Sequence, residues 1–395
     1  MPIARKIKHY MESASWIRDM FEEGIRLKRQ YGADNVFDFS LGNPVMEPPP
    51  AFYATLLRLL QNPPPGMHRY MPNAGLAETR AAVAAQLAKE TGVAFTAEHI
   101  VMCVGAAAGI NVVLKTLLDP GDEVVFFSPY FVEYHFYVDH YGGVARVVPT
   151  EAHFDLNLEA LEAALTPRCK VVLINSPNNP TGVIYPATTL KQLGELLGCK
   201  EREFNTRIYL LSDEPYKKLI YGGLAYPQIY PHHPNAISVT SHAKDLALPG
   251  ERIGYVAVNP ECADLEDLVG GMSFTTRTLG FVNAPALMQH ALVYLQGVTV
   301  DMSQYERKRD FLCDNLTAMG YQLVKPQGAF YIFPKAPGGD DLAFVKALQA
   351  KHILTVPGRG FGTPGHFRIA YCVEDHTIER AMDGFHAVAK AFGTA

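Results

Sequence analysis

Residues 170–182 read KVVLINSPNNPTG, an unbroken apolar run that stops in a cluster of Ser, Pro, Asn, Thr and Gly. Val171 to Ile174 do not alternate with polar residues, which is the pattern of a strand covered on both faces, as in a parallel sheet between helices. Asn, Pro and Gly favour turns for conformational reasons, so the strand ends where they begin. The same unit recurs on both sides. With Lys170–Asn175, strands are expected at Val101–Val104, Glu123–Ser128, Val144–Val148, Ile208–Ser212, Ile237–Ser241 and Ile253–Val258. Helical spacing alternates with them, as in Leu76, Val83 and Leu87, and again in Ile110, Leu114 and Leu118. The alternation predicts an α/β body: a mostly parallel seven-stranded sheet between helices.

The pattern changes after residue 283. Helical stretches at Ala284–Gln296, Gln304–Met319, Asp341–Lys351 and His376–Ala391 flank a few strands, which predicts a second, smaller α+β domain. In the first forty residues, Trp16 with Met20 and Ile17 with Phe21 have i,i+4 spacing, so a helix is expected there, packed on that second domain. The expected division is 1–44 for the amino-terminal segment, 45–285 for the large domain and 286–395 for the small one. A chain of 395 residues is long enough for such a division. Two proline triplets, Pro48–Pro50 and Pro63–Pro65, predict stiff, extended connections into the large domain. There is no internal repeat and no low-complexity linker.

Composition removes several classes of function. Hydrophobic residues make up 48% and charged residues 19%, a globular balance. No stretch approaches the ~20 apolar residues of a membrane helix. The amino terminus, MPIARKIKHYMESASW, has basic residues without an apolar segment behind them, so a cytoplasmic protein is expected. Six cysteines without a Cys-x-x-Cys pair argue against a disulfide framework and a zinc site, so no metal is expected. A net charge of -5 and the lack of a basic run argue against nucleic acid as a partner.

In open α/β sheets ligands lie beyond the carboxyl ends of the strands. Polar residues gather at those ends. Gly105-Ala106-Ala107 follows the first strand and opens a helix; Ser176–Gly182, Asp213–Tyr216 and Ser241–Lys244 each follow or close another. Taken singly, each has an ordinary structural reading: close packing for the Gly-Ala-Ala step, a plain turn for Asn-Asn-Pro-Thr-Gly, a cap for Asp213, a solvated surface amine for Lys244, a surface ion pair with Glu251 for Arg252. Taken together, they fall where one pocket would be lined.

The motifs SPNNPTG, SDEPY, SHAKDLALPGERIGY and GAFY, and the arginine in HFRIAY, occur in that order. Together they resemble the class I and II aminotransferases of fold type I, which use pyridoxal 5'-phosphate, and the likeness runs from about Gly42 to Arg368. The resemblance implies a covalent attachment of the cofactor to Lys244, an amine suited to an aldehyde. It implies that Asp213 keeps the ring nitrogen protonated, and that Tyr216 and Asn179 bond the ring's phenolic oxygen. It assigns the phosphate to the amides of Ala106 and Ala107, the Ser241 hydroxyl and Arg252, and a stacking role to Phe131. Ala106 and Ala243 stand where relatives often have Ser or Thr, so the phosphate is expected to lean on backbone amides and Arg252.

By the same likeness, Arg368 would grip the substrate α-carboxylate bidentately, with the Gly42 amide touching the same group. Tyr70 would reach the phosphate of a neighbouring subunit, making a homodimer with shared active sites, and Arg277 lies near where dicarboxylate-specific relatives place an arginine that crosses the dimer. Phe131, Gly42 and Arg277 also read as a core residue, a plain turn and a surface arginine. The implied activity is transamination between an L-amino acid and a 2-oxo acid, with glutamate and 2-oxoglutarate as one pair and aspartate as a possible donor. A β-lyase on the same scaffold is the rival, distinguished by pyruvate release from a cysteine conjugate without a keto-acid acceptor. A ligand-binding part of a regulator is a third reading, for which the amino terminus lacks a convincing DNA-binding module.

Overall fold

The computed structural model describes residues 2–13 and 16–393, with side chains of residues 12–21 left out. The seven expected strands form and join in one sheet. They are β1 (Ile100–Cys103), β2 (Glu123–Ser128), β3 (Val144–Pro149), β4 (Cys169–Asn175), β5 (Tyr209–Asp213), β6 (Ala236–Ser241) and β7 (Gly254–Val258), in spatial order β1-β7-β6-β5-β4-β2-β3. Only β7 runs against the rest, pairing antiparallel with both β1 and β6. The link from Ser241 to Gly254 holds a single turn of helix, His242–Asp245, too little to cross the sheet face, so the chain returns beside the strand it left. β4, β5 and β6 are parallel neighbours, with Asn175 opposite Asp213 and Asp213 opposite Val239. That register brings the polar strand ends to one edge of the sheet.

One strand departs from the expectation of cover on both faces. β3 closes the sheet order, and its Val144 and Val147 are exposed, because an edge strand has a neighbour on one side only. The first proline triplet also departs from a purely extended connection. Pro50 opens helix Pro50–Gln61, where a missing N–H costs nothing. Pro63–Pro65 lies in the loop that follows.

A second core forms around an antiparallel sheet of Val356–Pro357, Phe367–Ala370 and Tyr331–Ile332. Helices Met302–Ala318, Asp341–Gln349 and Asp375–Ala391 cover it, burying Tyr305, Leu312, Phe344, Leu348 and Phe385. Phe37–Asp38 pairs in parallel with Ile353–Leu354, so the amino-terminal segment joins this core. Helix Trp16–Tyr31 follows it there: Leu27 packs on Leu354, and Lys28 meets Asp38 at 2.9 Å. The expected packing of Trp16, Ile17, Met20 and Phe21 lies outside the described side chains. Helix Arg5–Ser13 instead lies on the large body, with Lys6 and Tyr10 on Asp139.

Helix Ala286–Leu295 was expected to open the second domain, yet it packs with the first. Met288, Ala291, Leu292 and Leu295 share a core with Leu59, Val83 and Leu87 of helices Pro50–Gln61 and Ala77–Thr91. Its apolar face belongs to the large sheet's side, so the change of architecture comes after this helix rather than before it. Among the described residues no helix is long and apolar enough to cross a membrane.

Candidate active site

A cavity of about 310 Å³ lies at the carboxyl ends of β4, β5 and β6, with Tyr331 and Arg368 of the second core on its wall. Asn179, Asp213, Tyr216, Ser241, Lys244 and Arg252 line it, as do Ala106, Ala107 and Phe131. Gly42 and Arg368 come in from the amino-terminal segment and the second core.

One lining residue is an acid. Asp213 is the last residue of β5 and is buried. Tyr134 donates a hydrogen bond to its Oδ2 at 2.6 Å, while Oδ1 is buried without a partner. Burial pushes the carboxyl up to about 7; the Tyr134 hydroxyl opposes the rise and the neighbouring Glu214 adds to it. A buried carboxylate with one oxygen unengaged calls for a cationic partner.

Another is an amine. Lys244 lies in the turn of helix that follows β6, and its Nζ donates to the Gly42 carbonyl at 2.5 Å. Burial brings this amine down to about 8; Cys372 opposes the fall and the Arg368 and Arg252 guanidiniums favour it. The fall favours, relative to a solvated lysine, the unprotonated form that attacks a carbonyl.

The same cavity holds an anion cradle. Gly105 precedes helix Ala106–Leu117 with φ 90°, and a Cβ there would stand 2.7 Å from Nη2 of Arg252. Only glycine lets the arginine approach the helix start so closely. The carbonyls of Pro249 and Val104 accept from the Arg252 guanidinium at 3.1 and 3.2 Å. Free amides at a helix start beside a fixed cation suit a phosphate.

Arg368 closes the site on the second-core side. Its guanidinium is buried, donating to Asn179 Oδ1 at 3.0 Å and to the Ser40 carbonyl at 2.6 Å, while Nε has no partner. The rings of Tyr331 and Phe361 lie 4.8 Å from its carbon centre. No carboxylate among the described residues pairs with it, so a buried positive charge is left for a small anionic ligand. Gly42 has no room for a side chain, since a Cβ would overlap the Tyr331 hydroxyl.

Two of the expected residues lie outside this cavity. Tyr70 is 93% exposed, and Arg277, near the end of helix Leu265–Thr278, is exposed with its guanidinium over the Phe274 ring at 5.3 Å. Three that sequence reasoning passed over are part of the site: Asn175, which donates to the Asp213 carbonyl at 2.9 Å, Tyr134 and Tyr331. Tyr331 had a signal, since it ends the GAFY motif. The unpartnered Asp213 oxygen, the lowered amine of Lys244 and the cradle at Gly105 together fit pyridoxal 5'-phosphate: ring nitrogen, aldehyde and phosphate each meet a group of matching chemistry.

Comparison with known proteins gives matches over most of the chain. The family model for aminotransferase class I and II matches residues 34–385. The aspartate/prephenate aminotransferase of Thermus thermophilus is 33% identical over 375 residues, covering 93% of this chain and 94% of that protein. A probable aspartate/prephenate aminotransferase of Aquifex aeolicus is 33% identical over 403 residues, covering 98% of each. Among solved structures, an aminotransferase from Eubacterium rectale superposes with a TM-score of 0.96 at 37% identity over the whole of both chains. The Thermus thermophilus aspartate aminotransferase with maleate gives 0.87 at 29%, covering 98% of this chain and 100% of that one.

Proposed function

The chain belongs to the class I and II aminotransferases and is a pyridoxal-phosphate-dependent enzyme, and from that premise we propose that it exchanges an L-amino acid with a 2-oxo acid, glutamate and 2-oxoglutarate forming one pair and aspartate a second donor. The observation that carries the reading is a single cavity in which an acid with a vacant oxygen, a near-neutral amine and an unpaired arginine converge.

Pyridoxal phosphate, when bound, supplies an aldehyde for the amino group and a ring that draws electrons from the α-carbon. The protein's own groups do the rest. Asp213 would hold a proton on the ring nitrogen, with Tyr134 fixing one of its oxygens. The Ala106 and Ala107 amides, Ser241 and Arg252 would hold the phosphate, Phe131 would flank the ring, and Tyr216 with Asn179 would bond the phenolic oxygen. Arg368 and the Gly42 amide orient the substrate α-carboxylate, which fixes the α-proton relative to Lys244. Lys244 would take that proton as base and return it as acid.

The same proposal includes a homodimer. Tyr53, Leu57 and Leu60 on helix Pro50–Gln61 are large apolar side chains left exposed, with Tyr70 beyond them and Phe274 beside Arg277. An apolar surface of this kind marks an interface. Tyr70 and Arg277, both outside their own cavity, would then serve the partner's phosphate and the distal carboxylate of a dicarboxylic substrate.

A panel of amino acids tests the substrate reading, with loss of the visible cofactor band recorded for each donor. Glutamate and aspartate are expected to convert it, and Arg277→Ala should raise KM for both about tenfold, the size of one charge-assisted hydrogen bond, with little change for alanine. An equal effect on all three discards the role of Arg277. Pyruvate release from a cysteine conjugate with no keto acid present would favour β-lyase chemistry instead.

A further inference from the structure

The GAFY segment has no task in the mechanism above, yet its tyrosine sits where the two halves of the site meet. Tyr331 is buried on a short strand that places it opposite Ala370, two residues past Arg368. Its ring carries the Arg368 guanidinium at 4.8 Å, and its hydroxyl lies 2.8 Å from that of Tyr216. We propose that Tyr331 is a positioning residue that ties Arg368 to Tyr216, its ring seating the guanidinium and its hydroxyl donating to Tyr216, which frees the Tyr216 proton for donation into the cavity. This rests on the roles given above to Tyr216 and Arg368.

The direction of the hydrogen bond follows from the role of Tyr216. Tyr331 faces Arg368, Tyr216, Cys372 and Tyr305; Tyr216 faces Tyr331, Arg368 and Asp213. Burial raises both phenols, so both keep their protons at neutral pH. Arg368 opposes the rise in both. Tyr216 has one proton, and its role is to give it to the cavity, so in the bond between the two hydroxyls Tyr331 gives and Tyr216 accepts. Acceptance polarises the Tyr216 hydroxyl and strengthens its own donation.

The cofactor-loaded enzyme tests this through the pH midpoint of its visible absorbance band, together with KM. Tyr216→Phe removes a donor to the phenolic oxygen and should move the midpoint upward. Tyr331→Phe should move it in the same direction by less, and the double variant should match Tyr216→Phe, because Tyr331 acts through Tyr216. Tyr331→Phe keeps the ring under Arg368, so KM for the amino acid should hold; Tyr331→Leu removes the ring and should raise KM about thirtyfold, the size of a buried cation–π contact. A residue with only a structural role would lower the melting temperature and leave the midpoint in place. A shift in Tyr216→Phe with none in Tyr331→Phe overturns the inference alone, as does a further shift in the double variant. No shift in Tyr216→Phe overturns the role of Tyr216 and the inference with it. If Tyr331→Leu does not fold, the Tyr331→Phe midpoint decides.

Discussion

Lys244→Ala is expected to abolish the visible absorbance of the cofactor-loaded enzyme and to remove nearly all turnover. One amine is assigned two tasks, covalent attachment of the cofactor and transfer of the α-proton, and proton transfer by a placed side chain alone is worth about 10²- to 10⁴-fold. The neighbouring lysines are engaged elsewhere. Lys217 donates to the Tyr255 hydroxyl at 3.0 Å and stands 3.8 Å from Glu214, and Lys218 lies 3.5 Å from Asp245. Neither lines the cavity, so neither substitutes. Normal transamination by a folded Lys244→Ala variant would refute the assignment.

Asp213→Asn is expected to lower turnover about a thousandfold, because removing one partner of a buried ion pair costs about 3–5 kcal/mol. The same change should stabilise the protein freed of cofactor, with a definite pH dependence. The carboxyl is raised from 3.8 to about 7, so the folded state binds this proton more tightly than the unfolded one. Its contribution to stability is therefore fully present below about pH 4 and is lost as pH rises through about 7. The amide carries no charge to bury. Thermal unfolding of the cofactor-free proteins should show the variant ahead of the wild type at about pH 8 and level with it at about pH 4. An undiminished turnover, or a variant less stable at the higher pH, would show that Asp213 is not a buried acid awaiting a cation.

The sheet was readable because its strands announce themselves twice, by an apolar run and by the turn residues that end it. Lys170–Asn175 followed by Ser-Pro-Asn-Asn-Pro-Thr-Gly is the plainest case. The same punctuation pointed to the cavity, since Asp213, Ser241 and Lys244, which line it, stand at or just past strand ends. Tyr134 was not readable: it stands among Tyr130, Tyr137 and Tyr141 in one segment, and nothing local says which of them meets an acid far along the chain. Periodicity gave the helix at Ala286–Leu295 but not the core that its apolar face would join. Nor could it mark β3 as an edge, because Val144 and Val147 look the same in sequence whether covered or bare. Tyr70 and Arg277 stand outside the cavity, and the roles proposed for them rest on the proposed second chain.

The claim on which the mechanism depends is that Asp213 and Lys244 address opposite ends of one heteroaromatic ring. A crystal structure of the pyridoxal-phosphate-loaded protein measures this directly. The account predicts the ring nitrogen at about 2.8 Å from Oδ1 of Asp213, with continuous density to Nζ of Lys244 and the phosphate between Arg252 and the start of helix Ala106–Leu117. A ring nitrogen facing any other group, or a cofactor joined to a different lysine, would contradict it.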